Sequence, residues 1–161
     1  MYLQLLTGND NYAIQQVHGM ILDLAEHERE LDKVRLTASH LQYEIINEHI
    51  QVFAIIHAEI IGFALTFKTF STFTGTQNLY LEDFYIKPEY RSHGFGGYTL
   101  SLLAQYALDC KMKRFEFGCF LNNPSVNIYR EKMAVTEQTN WTTFRAEGEQ
   151  LEELANEERK H

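Results

Sequence analysis

The stretch Arg91-Ser92-His93-Gly94-Phe95-Gly96-Gly97 lies directly after an apolar segment and directly before a long amphipathic one. The apolar segment, Leu79 to Ile86, predicts a central strand that Pro88 ends, because proline cannot donate to a β-ladder. The amphipathic segment, Phe95 to Lys111, predicts a helix whose buried stripe is formed by Leu100, Leu103, Ala104, Ala107 and Leu108. This order places free backbone N–H groups at a helix N-terminus, which is typical of a receptor for a phosphate chain.

The glycines of this loop remove side chains where a ligand would approach the backbone. Gly94 and Gly96 leave room for a diphosphate, and Gly97 loosens the first helical turn. Arg91 can add a charge-assisted contact, and His93 a second one. The loop lacks the Gly-Lys-Ser/Thr of a Walker A motif, and Thr99 stands where a dinucleotide-binding fingerprint has its third glycine.

The rest of the chain predicts one α/β domain over residues 1–161, with a mixed sheet and helices on both faces. The other predicted strands are Tyr2 to Leu6, Ile50 to His57, Ile60 to Phe70, Arg114 to Cys119 and Trp141 to Ala146. The other predicted helices run from the Asn9-Asp10-Asn11 cap to about His27, from Thr37 and Ser39, from Pro124 to about Met133, and from Gly148 to Lys160. Loops are expected at residues 26–33 and 71–78.

Composition and charge restrict the class of protein. The chain has 161 residues, 45% of them hydrophobic, which is enough for one domain with a core. Its net charge of -8 argues against nucleic acid as the main partner, because phosphate neutralisation needs clustered Lys and Arg. No apolar run approaches the ~20 residues of a membrane span, and the N-terminus lacks the features of a signal peptide. We therefore expect a cytoplasmic protein with no nucleic-acid or membrane partner.

Cysteine and histidine spacing predicts no metal site. The two cysteines, Cys110 and Cys119, form no CxxC motif and are expected to be reduced thiols. The seven histidines are scattered without the spacing of metal ligands.

Two adjacent acids, Glu82 and Asp83, lie in the predicted central strand beside the glycine loop. A phosphate receptor next to buried acids favours a phosphorylated co-substrate that delivers a group to a base-assisted acceptor. Because alternate strand residues point to opposite faces, we expect Glu82 and Asp83 not to face the cleft from the same side. The alternative is that one of the two acids caps a neighbouring group or lies at a subunit contact.

The segment from Leu81 to Gly96 resembles the acetyl-CoA-binding motif of the GNAT superfamily of N-acetyltransferases, Arg/Gln-x-x-Gly-x-Gly/Ala after a strand. The segment Asn122-Asn123-Pro124-Ser125-Val126-Asn127-Ile128-Tyr129 resembles the second cofactor motif of that superfamily. Together with Tyr80-Leu81-Glu82-Asp83-Phe84 and Trp141, these motifs resemble the spermidine/spermine (diamine) acetyltransferase family, which includes thialysine acetyltransferases. The resemblance implies a GNAT fold, with a mostly antiparallel sheet that splays at the cofactor strand.

The resemblance also implies roles for individual residues. Tyr129 would be the general acid that protonates the leaving thiolate, and Glu82 the general base, acting directly or through water. The cofactor-binding residues would be Phe84, Tyr85, Ile86, Arg91, Ser92, His93, Gly94, Phe95, Gly96, Gly97, Asn122 and Ser125. The acceptor amine would contact His27, Glu28, Glu82 and Asp83.

The acceptor region departs from the family in two places. His27 stands where the family has the tyrosine of a Tyr-Glu pair, whereas Glu28 matches. Thr72, Phe73 and Thr74 replace a region in which eukaryotic members carry an acidic residue and a tryptophan. The missing acid weakens the case for a long polycation and leaves room for a shorter diamine, thialysine or a lysine-like amino acid.

The predicted function is acetyl transfer from acetyl-CoA to a small primary amine, in a ternary complex and without an acyl-enzyme. By the resemblance, the protein would be a homodimer. Two alternatives stay open: a GNAT enzyme for another acceptor, such as an amino acid, a protein lysine or an N-terminus, and a non-catalytic acyl-CoA-binding module. A protein acceptor predicts an open groove between residues 26–33 and 71–78, whereas a small amine predicts a closed acidic pocket.

Overall fold

Five strands lie side by side in chain order in the computed structural model, which describes residues 1–156. They are β1 (Tyr2–Leu5), β2 (Gln51–His57), β3 (Glu59–Ser71), β4 (Thr76–Ile86) and β5 (Phe115–Phe117). Neighbouring strands from β1 to β4 pair antiparallel, and β4 pairs parallel with β5. The expected mixed, mostly antiparallel sheet is confirmed.

The helices are α1 (Asn11–Glu28), α2 (Ala38–Ile46), α3 (Phe95–Asp109), α4 (Ser125–Lys132) and α5 (Glu149–Asn156). Two single turns of 3-10 helix, Leu31–Lys33 and Pro88–Tyr90, lie between larger elements. The chain divides into two compact units, Met1–Phe120 with the sheet and α1 to α3, and Leu121–His161 with α4 and α5. The expectation of one domain over the whole chain stays a prediction.

Successive side chains of β2 point to opposite faces of the sheet, and helices cover both faces. Val52 and Ala54 are fully buried in a cluster with Val17 of α1 and Leu41 of α2. The ring of the intervening Phe53 points to the other face, where it meets Tyr106 of α3 edge-on at 5.0 Å. Helices therefore cover both faces of the sheet, as expected for an α/β fold of this type.

The connection between β3 and β4 is tighter than the predicted loop at residues 71–78. β3 runs to Ser71 and β4 begins at Thr76, so only four residues join the strands. Gly75 adopts a φ of 64° and donates its N–H to the Ser71 carbonyl at 2.8 Å. Glycine supplies this left-handed turn without strain, which lets the two strands extend into a hairpin.

Two further predictions are wrong. The predicted strand from Trp141 to Ala146 does not form in the described residues, and Trp141 and Phe144 are 81% and 91% exposed. The aromatic and β-branched residues of this segment have strand propensity, but a strand also needs a neighbouring backbone to pair with. Leu108 is exposed because the buried face of α3 centres on Leu100, Leu103 and Ala107.

The remaining differences concern element ends. β5 covers Phe115–Phe117 rather than Arg114 to Cys119, and α1 continues one residue past His27. The last helix is described over Glu149–Asn156, and residues 157–160 of the predicted helix lie outside the described residues.

Candidate active site

A β-bulge interrupts β4 at Glu82. In the pairing with β3, Asp83 lies opposite Leu65 and Leu81 lies opposite Thr66, so Glu82 is an extra residue in the ladder. A bulge bends its strand and re-aims the local side chains. Glu82 and Asp83 accordingly line the same cavity. The expectation that they could not face the cleft from the same side is wrong, because it assumed strict alternation along β4.

The cavity that these two acids line has a volume of about 450 Å³. It lies in the first unit, between β4, the C-terminal half of α1 and the turn that follows α1. Its lining residues are Ile21, Leu24, Ala25, Glu28, Glu30, Lys33, Val34, Glu82 and Asp83. Four carboxylates, one ammonium group and four apolar side chains make it suitable for an aliphatic cation.

The end of α1 brings Glu28 to this cavity. Arg29, in the left-handed conformation with a φ of 63°, terminates the helix, and its N–H bonds to the Glu26 carbonyl at 3.0 Å. Glu30 donates its N–H to the Ala25 carbonyl at 2.8 Å, so the chain turns back over the last helical turn. Glu28 thus joins Glu82 and Asp83, whereas His27 is exposed and lies outside the described cavity lining.

The carboxyl group of Asp83 has a raised pKa in this cavity. Burial, followed by the negative charges of Glu82 and Glu28, raises the pKa of Asp83 to about 6. An ammonium group that enters the cavity would relieve this crowding of negative charge. The site is therefore poised to bind a cation near neutral pH.

The edge of β4 that faces β5 becomes unpaired at Glu82, where the bulge lies. β5 pairs with β4 only from Leu79 to Leu81, and residues 82–86 have no ladder partner on that edge among residues 1–156. The carbonyl oxygen of Tyr85 lies against Gly62 of β3, so the alternation along β4 turns the backbone groups of Phe84 and Ile86 toward the opening. The Ile86 carbonyl accepts a hydrogen bond from Arg91 Nε at 2.8 Å, so this one group is already engaged.

Arg91 is held against the end of β4. Besides bonding Ile86, its guanidinium lies 5.3 Å from the centroid of the Tyr85 ring. His93 Nδ1 lies 2.7 Å from the Arg91 carbonyl oxygen, and the His93 ring stacks on Phe95 with centroids 6.1 Å apart. These contacts order the loop that connects β4 to α3.

The N-terminus of α3 is the place where the sequence predicts a phosphate cradle. Gly94 is the N-cap residue with a φ of 80°, and the Tyr98 N–H bonds to the Gly94 carbonyl at 3.1 Å. The amides of Phe95, Gly96 and Gly97 precede that first helical bond and are the ones a helix leaves without internal acceptors. A Cβ at Gly94 or Gly97 would meet no described atom within 4 Å. A diphosphate fits this open, donor-rich surface.

The second unit carries the remaining predicted residues. Asn122 is exposed, and Ser125 begins α4 with its N–H bonded to Asn123 Oδ1 at 2.9 Å. Tyr129 is partly buried on α4. The side chain that accepts from the first residue of this helix is thus that of Asn123 and not that of Asn122.

Sequence reasoning missed Glu30, Lys33 and the apolar wall of the cavity. Three of the four apolar residues, Ile21, Leu24 and Ala25, lie on α1 at the helical spacing that predicts a core face, so the sequence did not distinguish them from ordinary core residues. Glu30 and Lys33 lay in a segment interpreted as a charged loop. Their closeness in sequence to Glu28, a predicted acceptor-binding residue, could have identified them.

The sheet opens beside a helix N-terminus and next to an acidic cavity, an arrangement that could hold a phosphorylated donor beside a cationic acceptor. The Acetyltransferase (GNAT) family matches residues 17–134, and the chain belongs to this family. The expected family is confirmed, and the protein is an N-acetyltransferase.

Individual relatives are similar over most of the chain. Thialysine N-epsilon-acetyltransferase of Sus scrofa is 35% identical over 150 residues, covering 84% of this chain and 88% of that protein. Spermidine/spermine N(1)-acetyltransferase-like protein 1 of Homo sapiens is 31% identical over 153 residues, 86% of this chain and 22% of that protein. The crystal structure of a probable acetyltransferase has the same fold, with a TM-score of 0.76 and 14% identity over 90% of this chain and 97% of that one.

Residues 1–156 contain neither a candidate membrane span nor a candidate metal cluster. None of the described helices is both long and apolar enough to cross a membrane. Within the same residues, no three His, Cys, Asp or Glu side chains are grouped so that they could hold a metal ion.

Proposed function

We propose that this protein transfers the acetyl group of acetyl-CoA to a small primary amine of the polyamine, diamine or thialysine type, within a ternary complex. The observation that carries this proposal is the cavity in which the carboxylates of Glu28, Glu82 and Asp83 converge beside aliphatic side chains. The names of the relatives, which refer to thialysine and to spermidine and spermine, support the same acceptor class.

Glu82 is the proposed general base. A primary ammonium has a pKa of about 10.4, so it must lose a proton before its nitrogen can attack. The Glu82 carboxylate lines the cavity and is exposed, so it can take this proton directly or through water and pass it to solvent. The carboxylates of Asp83 and Glu28 bind the cationic acceptor before it is deprotonated.

The N-terminus of α3 and the open edge of β4 are the proposed donor site. Acetyl-CoA supplies a thioester whose carbonyl accepts the amine. The amides of residues 95–97 hold its diphosphate, and the backbone N–H groups of Phe84 and Ile86 stabilise the negative charge that develops on the carbonyl oxygen. Positioning two substrates in one complex supplies much of the rate.

Three roles in the second unit rest on the resemblance of its motif. Asn122 and Ser125 contact the CoA arm, and Tyr129 donates a proton to the departing thiolate. A phenol with a pKa of roughly 10 suits that donation. A homodimeric state and a cytoplasmic location also stay predictions from the sequence.

The test is CoA release from acetyl-CoA across putrescine, spermidine, spermine, thialysine, lysine and a basic peptide. We expect saturable turnover with one of the small amines, reduced about 10²- to 10⁴-fold in Glu82→Gln. Asp109→Asn, an acid-to-amide change at the exposed end of α3, is the matched control and should leave the rate unchanged. Turnover of the basic peptide alone would move the proposal to a protein acceptor.

A further inference from the structure

One wall of the acidic cavity carries an ion pair that the proposed reaction does not use. Glu30 and Lys33 both line the cavity, and Lys33 Nζ pairs with Glu30 Oε2. They belong to the turn after α1, whereas Glu82 and Asp83 line the cavity from β4. The side of the cavity formed by β4 thus carries only negative charge, whereas the side formed by the turn after α1 carries one negative and one positive charge.

The exposure of this pair indicates that folding depends little on it. The side chains of Lys33 and Glu30 are 71% and 43% exposed, and pairs this exposed contribute little to stability. Both charged groups are therefore accessible to a ligand in the cavity. Substitutions at either position should leave the fold intact.

We propose that the Glu30–Lys33 pair selects a diamino acid as acceptor by binding its zwitterionic head. The Lys33 ammonium takes the α-carboxylate of the acceptor, and the Glu30 carboxylate takes its α-ammonium. The side-chain amine then reaches Glu82 and Asp83 along the apolar wall formed by Ile21, Leu24, Ala25 and Val34. This inference rests on the proposed function and narrows its acceptor class.

Charge explains why a bare diamine would bind less well. A diamine lacks the carboxylate, so its second ammonium meets Lys33 as a like charge while competing with Lys33 for Glu30. A diamino acid instead satisfies both members of the pair. An internal pair of opposite charges is the complement of an amino-acid head group, not of a polycation.

The test uses acceptors that differ only in the α-carboxylate: lysine against cadaverine, and ornithine against putrescine. The measured quantity is kcat/KM for CoA release by the full-length wild type, Lys33→Met, Glu30→Gln and the charge exchange Glu30→Lys/Lys33→Glu. Lys113→Met, at an exposed lysine in the turn before β5, is the matched control.

We expect the wild type to prefer each amino acid over its decarboxylated partner. Lys33→Met should reduce this preference about tenfold, the low end for a lost hydrogen bond to a charged group. The change should lie in KM for the amino acid, because the head group is remote from the reacting atoms. The charge exchange should recover part of the preference, and Lys113→Met should not alter it.

The inference would be overturned by equal kcat/KM for lysine and cadaverine in the wild type, or by a Lys33→Met effect of equal size on both. Either result leaves acetylation of small amines intact. Absence of turnover with every amine would instead refute the proposed function, and this inference with it.

Discussion

Replacing Asp83 with asparagine should favour the folded protein more at pH 8 than at pH 4, relative to the wild type. Burial and the charges of Glu82 and Glu28 raise the pKa of Asp83 from 3.8 to about 6. Between these two values the folded chain retains a proton that the unfolded chain has lost, so the stability of the wild type falls as pH rises. Asparagine is neutral throughout and escapes this loss.

The size of the effect follows from the two pKa values. A difference of about 2 pKa units, at about 1.36 kcal/mol for each, gives at most about 3 kcal/mol above pH 6. With a urea m-value of about 2 kcal/mol/M, the unfolding midpoint of Asp83→Asn should exceed that of the wild type by up to about 1.5 M more at pH 8 than at pH 4.

The assay is urea unfolding followed by circular dichroism at pH 4, 5, 6, 7 and 8, for the wild type, Asp83→Asn and the exposed control Asp109→Asn. Only the change with pH in the difference between variant and wild type is used, because other ionisable groups then cancel. A difference that is the same at pH 4 and pH 8, or that shifts in favour of the wild type as pH rises from 4 to 8, would refute the reasoning.

Three further predictions concern the same unit. Because Asp83 gains its negative charge as pH rises through about 6, KM for the acceptor amine should fall over that range in initial-rate measurements; a flat profile would contradict its role. Burial and then Glu28 raise the pKa of Cys119, so Glu28→Gln should speed alkylation of Cys119 by iodoacetamide, measured by mass spectrometry against the exposed Cys110; an unchanged ratio would exclude the coupling. Gly97→Val places its side chain in open space, so acetyl-CoA affinity measured by calorimetry should fall at least tenfold while the urea midpoint stays within the range of a surface substitution; unchanged affinity would remove the cradle from the donor site.

The junction of β4 and α3 could be predicted from the sequence because local chemistry determines it. Pro88 prevents further strand pairing, and the glycines allow the left-handed turn at Gly94 that starts α3. Apolar periodicity likewise predicted the order of strands and helices through α4. These features depend on a few neighbouring residues, and the structure confirms them with shifts at their ends.

The acidic cavity could be predicted only in part, because long-range pairing shapes it. The bulge at Glu82 arises from the register between β3 and β4, which no local pattern in β4 reveals. It brings Glu82 and Asp83 together against the alternation that the sequence predicts. Glu30 and Lys33 reach the cavity because the chain turns at Arg29. The charged sequence of this segment does not indicate which way the chain turns. The strand predicted at Trp141 does not form for a similar reason, because strand pairing depends on residues that are distant in the sequence.

The central claim is that the acidic cavity beside the β4 bulge binds the acceptor amine. A crystal structure of the protein with CoA and the amine of highest kcat/KM tests it most directly. The account predicts the amine nitrogen within hydrogen-bonding distance of the carboxylates of Glu82 or Asp83, with the diphosphate of CoA at the amides of residues 95–97. An amine bound elsewhere, with this cavity empty, would contradict the account.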